Sequence, residues 1–153
     1  IVCSNCEHQE TLHFIRLTEL PCHIDSEAIM NWMEIIGAHV MWKQRLTAFL
    51  AGNSTETLDP DTIQLDDRCG LGKWIYGDGK AMSELPRYEE VRGLHAQFHQ
   101  YAADVVRLHL AGNTAEAEKL LQGEYSKLSE KLKHRLIGLS QQVKSATEGI
   151  PRF

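Results

Sequence analysis

The spacing of the apolar residues constrains this chain most. They recur at three- and four-residue steps, and no segment of useful length alternates with period two. The plainest run is Ala117, Leu121, Leu128, Leu132, Leu136, Leu139 and Val143, which follows Asn113 to Glu116, a pair spaced as a capping box. A second long helix is predicted from about Ser83 to Ala111, with Pro86 in its first turn and Leu94, Phe98, Ala102, Val105 and Val106 facing inward. A first helix is predicted from Asp25, as N-cap, to a stop at Gly52. Its broad apolar face reads Ile29, Trp32, Met33, Ile36, Val40, Leu46 and Leu50. A polar loop opens at Gly52-Asn53-Ser54 and closes near Asp59-Pro60-Asp61. The glycine-bounded stretch Cys69 to Gly79 then reads as a short helix ending in a turn. The expected fold is all-α: a four-helix bundle with an additional short helix and an N-terminal extension.

At 153 residues and 42% hydrophobic content the chain can build one packed core. Sixteen basic residues against 21 acidic ones give a net charge of -5, and no basic stripe is visible, which argues against nucleic acid as a partner. No apolar run approaches the roughly 20 residues needed to span a bilayer. No basic-then-apolar leader opens the sequence as it stands; from its start at Ile1 a fragment or a processed chain is expected, one from which a targeting segment can have been lost. Four Cys and eight His stand out; in a cytoplasmic chain of this size they point to metal before disulfides.

His95 and His99 lie four residues apart on the second predicted helix, so both imidazoles stack on one face beside Leu94, Phe98 and Ala102. Taken alone, such a pair is more often two hydrogen-bonded core histidines than a metal site. His39 sits on the inward arc of the first helix, where a lone histidine is again more often a satisfied core group. Cys69, at a glycine-flanked helix start, is by itself most often a small buried hydrophobe. Together the four offer one sulfur and three nitrogens from three elements, the donor set of a closed four-coordinate Zn²⁺ site. Burying them without a shared partner would strand polar atoms that one metal ion satisfies at once.

The segments Ala38-His39-Val40-Met41-Trp42-Lys43, Asp67-Arg68-Cys69-Gly70-Leu71-Gly72-Lys73-Trp74 and His95-Ala96-Gln97-Phe98-His99 resemble the chemoreceptor zinc-binding domain family of bacterial signalling proteins. The resemblance covers residues 31 to 145, leaving 1 to 30 as an extension or linker and 146 to 153 as a tail. It implies that His39, Cys69, His95 and His99 bind one zinc inside a four-helix bundle. It implies a homodimer, a sensory role responding to zinc or oxidants at Cys69, and an output partner or fused domain in chemotaxis or cyclic-di-GMP signalling. Residues 14 to 20 look like the receptor segment that leads into the first ligand helix, but there the histidine follows almost at once, whereas here Pro21 to Ile36 intervene.

Other features are weighed beside these. Cys3-x-x-Cys6 with Cys22-His23, and His8 or His13 in reserve, suit a second zinc site or else a reduced tail. Asp66 and Asp67 are either acceptors for a ligand imidazole N–H or helix-capping carboxylates. Gly70, Gly72, Gly77 and Gly79 are expected to give the Cys69 segment backbone freedom. His109 and His134 read as surface or interface histidines. Trp32, Met33, Met41 and Trp42, spread around the first helix, are more apolar surface than one stripe can hide, which favours a dimer. No nucleophilic triad, phosphate loop or paired general acids accompany the cluster, so no enzyme is expected. The alternative is a haemerythrin- or ferritin-like di-metal bundle, for which the last helix would have to supply His134 and Glu130.

Overall fold

A computed structural model describes residues 30–148. α1 (Trp32–Leu50) starts where the Asn31 side-chain oxygen accepts the Glu34 N–H at 3.2 Å, and it stops before Gly52, whose φ is +72°. The expected N-cap Asp25 and the apolar Ile29 lie outside the described residues. α2 (Pro60–Ile63) and α3 (Gly70–Tyr76) are short, and a 3₁₀ turn, Asp78–Met82, follows them. α4 (Pro86–Leu110) opens with proline at its first position, where the missing N–H costs nothing, and ends before Gly112 at φ +83°. α5 (Thr114–Leu120), a π turn (Leu121–Tyr125) and α6 (Ser126–Glu148) form one continuous helical run.

The architecture is an all-α bundle, as the apolar spacing predicts. α4 is its centre, packed by α1, by α2 and by the α5–α6 run. Residues 52–85, with their short helices, lie along the remaining side of α4 in place of a long helix. Arg107 of α4 donates to Asp61 and Gln64, and Tyr88 donates its hydroxyl to the Ile75 carbonyl. Val91, Phe98, Val105, Leu132, Leu136 and Leu139 are fully buried in the shared core. Each such large side chain contributes roughly 1.5–3 kcal/mol of burial.

Two local expectations need correcting, and one feature was not expected. Met33 and Val40 face outward, 80% and 42% exposed, because the buried arc of α1 is centred on Ile35, His39, Trp42 and Leu46. Asn113 occupies the N-cap of α5 but makes no side-chain cap bond, so the capping box does not form. The π turn was not visible in the pattern. It adds a residue between Leu121 and Leu128, buries Tyr125 there, and leaves the Leu121 carbonyl to accept the Ser126 hydroxyl at 2.6 Å. Among the described residues, no helix is long and apolar enough to cross a membrane.

Candidate metal centre

The structure brings His39, Cys69, His95 and His99 together. One ligand-capable atom from each lies within 4.8 Å of the others, and among the described residues no further Cys, His, Asp or Glu joins them. α1 supplies His39, α4 supplies His95 and His99 one turn apart, and Cys69 is the N-cap residue of α3. The Cys69 sulfur accepts the Gly72 N–H at 3.4 Å, which aims it along the start of α3 toward α4. His95 Nε2 is 3.2 Å from that sulfur and 3.1 Å from His99 Nε2. The His39 ring centroid is 5.2 Å from that of His95, and the fully buried Phe98 ring lies 5.2 Å from His39 and 5.7 Å from His99. The three imidazoles are buried and Cys69 is half-buried.

The hydrogen bonds around the rings test whether a cation fits. His39 Nδ1 donates to the Ile35 carbonyl and His99 Nδ1 to the Ile63 carbonyl, each at 2.7 Å. A carbonyl only accepts, so the proton of each neutral ring is assigned to Nδ1 and its Nε2 is a bare lone pair. His95 has one ring proton for two neighbours. If the proton sits on Nε2, it serves either sulfur or His99; if it sits on Nδ1, two nitrogen lone pairs face each other 3.1 Å apart. The buried His95 Nδ1 has no partner. Extra protons do not resolve the excess, because burial, first of all, holds all three histidines below their ordinary pKa, His95 at about 2. Burial likewise pushes the Cys69 thiol up. A group of lone pairs held neutral and facing inward suits a metal ion with nitrogen and sulfur preference.

The remaining candidates fall elsewhere. Glu130 pairs with Lys133 at the surface and His134 is exposed, so neither reaches the cluster as a di-metal site would need. His109 bonds the Thr114 hydroxyl at 2.9 Å and packs edge-on against Phe49. Cys3, Cys6, His8, His13, Cys22 and His23 lie outside the described residues. Asp67 is exposed beside Arg68, and neither Asp66 nor Asp67 caps a helix; Cys69 takes that place itself. Asp66 instead accepts the Tyr76 hydroxyl at 2.6 Å, with its carboxylate 4.0 Å from His95 Nδ1. Of the glycines after Cys69, Gly72, Gly77 and Gly79 serve close packing, while Gly70 is exposed and has room for a Cβ. A Cβ on Gly72 would fall 1.8 Å from the Asp66 carbonyl oxygen, and one on Gly79 would fall 2.6 Å from the Trp74 ring. Sequence reasoning missed the carbonyl acceptors Ile35 and Ile63. The first is implied by helix geometry four residues before His39; the second depends on how residues 52–85 pack and leaves no trace in the sequence.

Comparison with known proteins agrees with this geometry. No curated protein and no solved structure matches the chain. The family model of the chemoreceptor zinc-binding domain matches residues 39–106, a stretch that opens on His39 and includes Cys69, His95 and His99. This part of the bundle is a zinc-binding domain, and residues 39–106 belong to the chemoreceptor zinc-binding domain family.

Proposed function

We propose that the protein is a sensory or regulatory module of a bacterial signalling system in which His39, Cys69, His95 and His99 hold one zinc ion per chain. The module spans residues 31–145, with an extension before it and a tail after it. The carrying observation is the convergence of four ligand-capable atoms within 4.8 Å, in a buried place with more lone pairs than protons. Bound zinc takes up those lone pairs and keeps the sulfur as thiolate. The chain does the rest. The Ile35 and Ile63 carbonyls fix two imidazole tautomers, the buried Phe98 ring packs against His39 and His99, and the Gly72 N–H orients the sulfur. Four protein donors complete a four-coordinate set and leave no place for substrate or a reactive water, which favours regulation over catalysis.

Metal occupancy and oxidation of Cys69 are the inputs we assign, read by chemotaxis or cyclic-di-GMP machinery in the cytoplasm. Support for the second input is chemical. Burial keeps the metal-free thiol protonated and unreactive, so its sensitivity to oxidants is set by whether it is held as thiolate. A homodimer is supported by the outward face of α1, where Met33, Val40 and Met41 are exposed.

Elemental analysis is expected to find one zinc per chain, with Cys69→Ala and His95→Ala both losing it under mild chelation. Full retention by both variants would overturn the ligand assignment. Light scattering at high micromolar concentration should give a dimer mass, and a monomer mass would remove the dimer. Hypochlorous acid should modify Cys69 and release zinc; an unmodified Cys69 would leave metal as the only input.

A further inference from the structure

The three imidazoles differ in what lies behind them. His39 and His99 each give their Nδ1 proton to a main-chain carbonyl. His95, the most deeply buried of the three, has no partner at Nδ1. The group facing that nitrogen is the Asp66 carboxylate, whose Oδ2 is 4.0 Å away, about 1 Å beyond a hydrogen bond. Two contacts keep the carboxylate there. Its Oδ2 accepts the Tyr76 hydroxyl at 2.6 Å, from the far end of α3. Its backbone passes so close to α3 that only glycine fits at position 72, where a Cβ would also fall 2.9 Å from Asp67 Cα. Asp66, Cys69, Gly72 and Tyr76 therefore form one unit that presents a sulfur to one nitrogen of His95 and a carboxylate to the other.

We infer that Asp66 is the positioning residue of His95: its carboxylate takes the Nδ1–H as a hydrogen-bond acceptor and so commits the Nε2 lone pair to the centre of the cluster. The inference rests on the ligand assignment proposed above. It makes His95 the one imidazole whose orientation depends on a side chain, and Tyr76, half-exposed at 37%, the link from that side chain to the surface. A carboxylate behind a ligand imidazole fixes its tautomer and raises its basicity, and losing one typically costs about 10–100-fold in metal affinity.

The test compares zinc affinity, by chelator competition, and imidazole ¹H–¹⁵N spectra of the zinc-loaded protein for wild type, Asp66→Ala, Asp66→Asn and His95→Ala. Asp66→Ala should bind zinc about 10–100-fold more weakly. It should also lose the exchange-protected Nδ1 proton signal of His95 while those of His39 and His99 persist, a pattern that general loosening would not give. Asp66→Asn, which keeps a neutral acceptor, should fall between wild type and Asp66→Ala, and it carries the test if the alanine variant does not fold. Affinity within twofold of wild type in the variant tested, or an unchanged His95 proton signal, would overturn the positioning role. If His95→Ala also binds zinc undiminished, the ligand assignment has failed; if His95→Ala loses zinc while the Asp66 variants do not, the positioning role alone has failed.

Discussion

Each ligand-capable side chain has its protonation state set before any metal arrives. Burial holds His39, His95 and His99 below their ordinary pKa, so all three are neutral at pH 7 and bind through a lone pair without releasing a proton. The same burial raises the Cys69 pKa, so the thiol is protonated at pH 7 and must lose its proton to bind as thiolate. The signs add to one proton released per zinc bound, and affinity should rise about tenfold per pH unit across the neutral range. Calorimetry in two buffers of different ionisation enthalpy measures that number; zero or three protons would contradict these protonation states. At this scale much was legible. The four-residue step from His95 to His99 fixed their shared face, and His39 was readable as inward because its helical neighbours are apolar. Their acceptors were not, since a carbonyl such as that of Ile63 has no side chain to announce it.

Among the elements, α3 shows how one sequence signal supports two structures. Glycines at 70, 72, 77 and 79 read as freedom, yet Gly72 is the position where residues 66 and 67 cross the helix too closely to leave room for a Cβ. Composition does not separate a hinge glycine from a close-approach glycine; only the neighbouring backbone does. Gly72→Ala should therefore destabilise the metal-free protein by about 1–3 kcal/mol or more through overpacking. Gly93 is the contrast. It is exposed in the middle of α4 with nothing within 4 Å of a built Cβ, so Gly93→Ala should stabilise by up to about 1 kcal/mol. Chemical denaturation measures both, and equal effects at the two positions would refute the close-approach reading. The long helices were legible because their burial repeats over many turns. The outward turn of Met33 and Val40 was not, because on α1 apolar residues lie on both faces and hydrophobicity alone does not choose between them.

Over the whole molecule, stability is unevenly distributed. α1, α4 and the α5–α6 run are long helices that share a continuous apolar core. Residues 52–85 add to that core only through short elements. α2 has four residues and α3 seven, both far below the length at which a helix holds itself in water. Their ties to the rest include buried apolar anchors at Leu58, Ile63, Leu71 and Ile75, the bonds of Arg107, and the Cys69 and Ile63 links to His95 and His99. A ligand that binds only the folded state adds stability in proportion to the logarithm of its concentration over its Kd, and it adds most where it joins a weak segment to a strong one. Removing zinc should therefore raise amide exchange across residues 60–80, leave the centres of α4 and α6 protected, and lower the melting temperature. Exchange that rises uniformly, or nowhere, would show that the metal does not bear specifically on this segment. The localised pattern would make residues 60–80 the part of the molecule whose order reports occupancy, because that is where the covalent chain supplies a ligand but too little core to hold it.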